Sequence, residues 1–162
     1  MKISLEERTA AHVSIYWHKT QDREIKALLP SSAQSEEQAL ELFRKSRSPE
    51  STSFGKVIFV DGQYVGDIWC YCIDEKDEKS AMLSYCIFEK TLWGQGIATG
   101  AAKLFLQEVF RRYNIEKIGA FTYSSNTASI RVMEKLGFHF VEEWEEDGVS
   151  SSYFEFRKES LS

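Results

Sequence analysis

The chain is poor in cysteine, histidine and proline, and it has no long apolar run. The three cysteines are Cys70, Cys72 and Cys86, and no other Cys or His clusters with them to complete a zinc set, so no metal site is expected. Cys70 and Cys72 stand two apart on a predicted strand and would share one face, which suits a buried, reduced role. No stretch approaches the length of a membrane span and no signal peptide opens the chain, so a membrane partner is not expected and a cytoplasmic location is. Basic residues are also in deficit: 20 Lys and Arg stand against 25 Asp and Glu, a net charge of −5. Nucleic-acid binding needs a basic footprint and is not expected. An acidic surface suits a cationic substrate such as an amine, although −5 is also an ordinary solubility charge. Only Pro30 and Pro49 interrupt the chain, and no internal repeat or low-complexity tract stands out.

What is present reads as one domain over residues 1–162, since a chain of this size buries about 70% of its unfolded surface without staples. Hydrophobic residues make up 43% and aromatic residues 14%, which argues for a globular fold. Thr9 to Leu29 reads as helical with a break near Thr20. Ser35 and Gln38 form a capping-box pattern that starts a helix over Glu36 to Arg47, with Ala39, Leu40 and Phe43 as its apolar stripe. Lys45 to Ser53 is polar, contains Pro49, and reads as a loop. Lys56 to Val60 and Tyr64 to Ile73 read as a hairpin about Asp61-Gly62. A charged turn, Asp74 to Lys79, leads to a strand over Ala81 to Phe88. A helix over Ile97 to Arg112 follows, with Ala101, Leu104, Phe105 and Val109 as its apolar face. Next come a strand over Lys117 to Tyr123 and a short helix over Ala128 to Leu136, closed by Gly137. Phe138 to Glu145 and Ser152 to Arg157 are the last strands, around Asp147-Gly148. The pattern is α/β, a mixed sheet flanked by helices.

The run Leu92-Trp93-Gly94-Gln95-Gly96-Ile97-Ala98-Thr99-Gly100 feeds a predicted strand directly into a predicted helix. Glycines allow a ligand close to the backbone, and the first helical turn offers N–H groups without intrahelical partners. An anion belongs there. A P-loop needs a lysine after the glycines, and none follows. A dinucleotide fingerprint needs a third glycine at Thr99, and the turn would have to follow the first strand rather than the third.

The run Trp93-Gly94-Gln95-Gly96-Ile97-Ala98 resembles the phosphate loop of the GNAT N-acetyltransferases, (Gln/Arg)-x-x-Gly-x-(Gly/Ala), at Gly96 and Ala98. Trp93 departs from the general pattern and is similar to the variant in the branch that acetylates ribosomal-protein N-termini, the Rim type. Gly100 stands where that branch usually has Glu. A second block, Asn126-Thr127-Ala128-Ser129-Ile130-Arg131-Val132-Met133-Glu134-Lys135-Leu136-Gly137-Phe138, resembles the same branch's Asn-x-x-Ser-x-x-x-x-Glu-Lys-x-Gly-Phe. The likeness covers Phe54 to Phe156; before it, only Lys2 to Leu5 offers a first strand.

The resemblance implies a mostly antiparallel sheet splayed at an acetyl-CoA site. It implies direct acetyl transfer to a primary amine, either a protein N-terminal α-amine or a small molecule, by a monomer or homodimer. Backbone groups of Cys86, Ile87 and Phe88 would face the pantetheine arm. The N–H groups of Gln95, Gly96, Ile97, Ala98, Thr99 and Gly100 would cradle the pyrophosphate, with Trp93 beside the cofactor or as a lid on the turn. Asn126 matches the family's pantetheine-binding asparagine, or is simply an N-cap. The family's proton-donating tyrosine falls at Met133, which cannot donate; Ser129 matches the serine proposed in the Rim-type branch, and it doubles as a cofactor contact. Arg131 stands either near the 3′-phosphate or in a surface ion pair. Tyr85 matches a tyrosine near the thioester. For a base, Glu143 and Glu145 alternate with Phe140 and Trp144 on one strand, with Glu89 a further candidate. The alternative is a non-catalytic acyl-CoA-binding module, which Met133 and the unassigned base keep open.

Overall fold

The computed structural model describes residues 1–29 and 33–161. Both Asp-Gly pairs fold as tight turns: Asp61 and Gly62 take φ of 50° and 83°, and Asp147 and Gly148 take 52° and 79°. Two successive positive φ values match the twist of the flanking strands, and Asp followed by Gly adopts them at low steric cost. The turns join β2 (Phe54–Val60) to β3 (Gln63–Asp74), and β6 (His139–Glu146) to β7 (Val149–Arg157). Between these hairpins run β4 (Ser80–Ile87), α4 (Ile97–Arg112), β5 (Lys117–Tyr123) and α5 (Thr127–Leu136). Ahead of them lie β1 (Ile3–Glu7), α1 (Ala10–Lys19), α2 (Arg23–Leu28) and α3 (Glu36–Ser46).

The strands form one sheet in the order β1-β2-β3-β4-β5-β7-β6. Every neighbouring pair is antiparallel except β4 with β5. The main core lies on one face, where Ala101, Ala102, Phe105, Leu106 and Val109 of α4 share a cluster with Ile58, Ile68, Leu83 and Ile118 of the sheet. On the other face Ile25 of α2 packs with Cys86 and Phe88, beside Tyr16 of α1.

The caps follow local chemistry. Thr9 starts α1 with a capping box to His12, and Asp22 accepts from Glu24 and Ile25 to start α2. Ser35 accepts from the Gln38 N–H at 3.0 Å, but the Gln38 side chain reaches Gln34 rather than Ser35, so the expected box is only half formed.

Four expectations change. The edge strand β1 runs to Glu7, pairs with β2, and packs Ile3 and Leu5 against the core. Cys72 has φ of 52° at a break in the β3–β4 register, so it is exposed while Cys70 is buried; the two do not share a face. Leu104 of α4 is exposed, and Ala102, Leu106 and Phe110 complete the buried stripe instead. A register shift between Phe140 and Glu142 reverses the alternation within β6. It puts Phe140, Glu143 and Glu145 on one face and Trp144 on the other, where the sequence pattern places both aromatics opposite the two glutamates.

Candidate active site

β4 pairs with β5 only over Ser80–Met82 and Lys117–Gly119. Beyond that point β4 continues to Ile87 and β5 to Tyr123, so a gap opens between their ends. Gly66 lies beside it on β3. It pairs with Ile87, and a Cβ on it would strike the Cys86 carbonyl oxygen and lie 3.0 Å from the Ile87 Cα. Glycine lets β4 press close against β3 here.

The ladder decides which peptide groups face the gap. Phe88 N–H donates to the Val65 carbonyl at 2.9 Å. Antiparallel alternation then commits Cys86 to Asp67 and turns the peptide groups of Tyr85 and Ile87 toward β5. Of Cys86, Ile87 and Phe88, Ile87 alone has its N–H aimed at the gap, and Tyr85 joins it. The Ile87 carbonyl accepts from the Trp93 indole N–H at 2.8 Å, which anchors the half-exposed Trp93 at the end of the strand. The Cys86 side chain lies on the opposite face against Tyr16, where burial pushes its thiol up to about 12.

The glycine turn follows a 3₁₀ turn, Lys90–Leu92. Gly94 and Gly96 have φ of 79° and 80°, and a Cβ on either would point into open space. Gly96 is the N-cap of α4 in the left-handed region, with no side chain to cap the helix. Gly100 N–H bonds back to the Gly96 carbonyl at 3.0 Å, and Gln95 N–H bonds to Leu92 at 3.3 Å. The N–H groups of Gly96, Ile97, Ala98 and Thr99 have no acceptor among the described residues. They form the positive end of a helix of 16 residues, beside the open end of the β4–β5 gap. Gly100 itself packs on β1: a Cβ there would lie 2.6 Å from the Ile3 Cδ1.

The second block lies across the gap. Asn126 Oδ1 accepts from the Ser129 N–H at 3.2 Å and so caps α5. Ser129 Oγ lies 3.2 Å from the Tyr85 hydroxyl. Burial raises the Tyr85 pKa, opposed by the Ser129 hydrogen bond. Met133 is buried in the main core. Arg131 is exposed. Glu143 and Glu145 pair with Ser152 and Ser150 and lie exposed on the outer edge strand β6, and Glu89 accepts from the Thr91 hydroxyl.

One cluster has no counterpart in the sequence reading. Asp67 is 2% exposed on β3, with Arg8 Nη2 3.2 Å from its Oδ2 and the Tyr64 hydroxyl donating to its Oδ1. Burial raises its pKa, and Arg8 and Tyr64 pull it back down. The signal was a lone carboxylate inside Val65-Gly66-Asp67-Ile68-Trp69-Cys70. A charge in so apolar a strand needs a partner. Its partner, Arg8, comes from the end of a distant edge strand and sits over Gly55, where a Cβ would lie 2.7 Å from Nη2.

A family model for the acetyltransferase (GNAT) domain matches residues 3–139. The probable N-acetyltransferase YjcK of Bacillus subtilis (strain 168) is 30% identical over 90 residues, covering 56% of this chain and 49% of YjcK. The chain thus spans about half the length of the curated relatives it matches. The crystal structure of aminoglycoside acetyltransferase AAC(6')-Ib in complex with coenzyme A superposes with a TM-score of 0.82 at 14% identity, covering 98% of this chain and 96% of that one. The ribosomal-protein-S5-alanine acetyltransferase from Vibrio fischeri gives 0.83 at 13% identity, covering 100% and 96%. These likenesses establish a shared fold, and the family match runs through both the glycine turn and the Asn126 to Phe138 block; the chain belongs to the GNAT acetyltransferase family.

Proposed function

We propose that this chain transfers the acetyl group of acetyl-CoA directly to a primary amine, either a protein N-terminal α-amine or an amine of a small molecule. The observation that carries this reading is the Tyr85–Ser129 hydroxyl pair across the β4–β5 gap. The gap leads to four unpartnered N–H groups at the start of α4. The site suits the cofactor: Gly94 and Gly96 leave open space at the turn, and strand-edge peptide groups face the gap. When bound, acetyl-CoA supplies the acyl group as an activated thioester.

Each residue then has a defined task. The N–H groups of Gly96, Ile97, Ala98 and Thr99 bind the pyrophosphate, and the Thr99 hydroxyl and Trp93 flank it. Ile87 N–H and the Tyr85 peptide group bind the pantetheine arm, with Asn126 at the far wall. Ser129 Oγ holds the proton that the leaving thiolate needs, and Tyr85 orients that hydroxyl. Cys86 takes no covalent role, because its thiol faces away from the gap and stays protonated.

The acceptor must be neutral to attack. At pH 7 this costs about 4–5 kcal/mol for a lysine-like amine and only about 1 kcal/mol for a peptide α-amine. An α-amine needs no more than solvent water as base; Glu143 and Glu145 lie exposed on β6, with β5 and β7 between them and the gap. The two solved neighbours carry names that span both acceptor classes, an aminoglycoside and a ribosomal-protein alanine. The binding-only alternative rests on Met133, which lies in the core and donates no proton, and on the unassigned base; the Ser129 hydroxyl answers the first of these.

The test is thiol release from acetyl-CoA across an amine panel that includes peptides with free N-termini. Acetylated product from at least one amine class is expected. Tight CoA binding with no product across the panel would return the binding-only alternative.

A further inference from the structure

The face of the sheet opposite α4 and α5 is only half covered. Tyr16 and Ile25, from α1 and α2, pack over β4 there. On β5, β7 and β6 the same face is open, with Phe121 46% and Trp144 37% exposed. The Trp144 ring stands perpendicular to Phe121 with centroids 5.1 Å apart, and the Tyr153 ring lies 4.8 Å from Phe121, tilted by 38°. Gly119 makes this possible, because a Cβ there would lie 2.6 Å from Tyr153 Cε1. The tyrosine ring is thus laid across β5, and the three rings form an open aromatic corner.

Carboxylates rim the corner. Glu142 and Glu146 alternate with Trp144 on the same face of β6, opposite Tyr153 and Val149. Glu155 is already engaged, by the Tyr153 hydroxyl at 2.9 Å and by Lys117 at 3.7 Å. Glu142 and Glu146 make no ion pair among the described residues. Burial and the nearby carboxylates push the Tyr153 phenol up to about 12, so the ring stays neutral.

The location is specific. Gly119 is the last β5 residue paired with β4, and Phe121 stands two residues beyond it at the edge of the gap. Ser129 and α4 occupy the other face. An acceptor entering from the open face therefore passes Phe121.

We infer that the corner of Phe121, Trp144 and Tyr153, rimmed by Glu142 and Glu146, binds a second, non-reacting ammonium of a polyamine acceptor. Ring faces attract a cation through their quadrupoles, and unpaired carboxylates add to that attraction. A second copy of this chain fits worse, since it would set like carboxylates against each other on a molecule of net charge −5. The site rests on the proposed amine transfer for its place in the reaction, but its binding is measurable without turnover.

The experiment compares 1,7-diaminoheptane with n-heptylamine, equal in length and different by one charge. Each is titrated calorimetrically into the CoA-loaded protein. The ratio of the two affinities is the readout, and CoA affinity reports folding in every variant. The wild type should prefer the diamine by about three- to tenfold. Trp144→Ala and Glu142→Gln should each bring the ratio toward one, while Trp144→Phe keeps most of it. An unchanged ratio in Trp144→Ala would overturn the inference. A ratio that responds as expected, with no acetylated product from any amine, would keep the cation site and remove the transfer reading. Product formation with an unresponsive ratio would do the reverse.

Discussion

The Tyr85 hydroxyl lies 3.2 Å from the Ser129 hydroxyl, joining β4 to the first turn of α5 across the gap in the sheet. The two residues are 44 positions apart, and only the parallel placing of β4 beside β5 brings them together. The pair sets a hydroxyl beside the gap, while Met133 is buried in the core.

Ser129→Ala should therefore lower kcat by about 100-fold, the scale of a lost general acid. CoA affinity should change by far less. Tyr85→Phe should give a smaller drop, because it removes an orienting partner and leaves the donor. Steady-state rates beside equilibrium CoA titration separate the two effects; equal losses in kcat and CoA affinity would reduce Ser129 to a cofactor contact.

Gly96→Val tests the phosphate cradle. The residue has φ of 80°, so a branched side chain costs roughly 1–2 kcal/mol in strain, yet its Cβ meets no protein atom within 4 Å. The fold should survive by circular dichroism with a small fall in Tm. CoA affinity should fall at least about tenfold, since the loop must shift to relieve the strain. Unchanged affinity would place the pyrophosphate elsewhere.

Asp67→Ala leaves Arg8 in place without its carboxylate partner. Breaking such a buried pair costs about 3–5 kcal/mol, visible as a lower urea midpoint. The double variant Arg8→Met with Asp67→Ala should recover part of that loss, because no charge is then stranded. A single variant with wild-type stability would show that the pair contributes little.

Alkali should unfold the protein early. Burial pushes both Cys70 and Cys86 up to about 12 from the ordinary value of 9.0. A raised folded pKa means the stability is fully present below pH about 9 and is lost as pH climbs toward 12. Denaturant midpoints measured from pH 8 to 11 should fall steadily. The Cys70→Ala variant, less stable at pH 8 through its cavity, should show a shallower slope.

Gly100 illustrates how far the local pattern reached. By propensity it is a poor choice for the first turn of a helix. It packs against a neighbour 97 positions away in sequence, Ile3, whose Cδ1 would lie 2.6 Å from a Cβ there. Val141 illustrates the same limit in a strand. One irregular residue in β6 reverses which face Trp144 joins, and period-two counting carries no sign of it.

The elements, the two Asp-Gly hairpins, the glycine turn and the family block are legible in the linear chain, because each depends on a few adjacent residues. Helix α4 and strand β5 begin and end at the predicted residues, Ile97 to Arg112 and Lys117 to Tyr123. The short β4–β5 pairing, the Tyr85–Ser129 contact, the Arg8–Asp67 pair and the open aromatic corner emerge only in the folded chain. Each of these joins residues from separate strands or helices, and their meeting depends on register, bulges and glycine clearances. Those quantities are set when the whole sheet closes, since a single-residue slip turns every side chain of a strand to the other face.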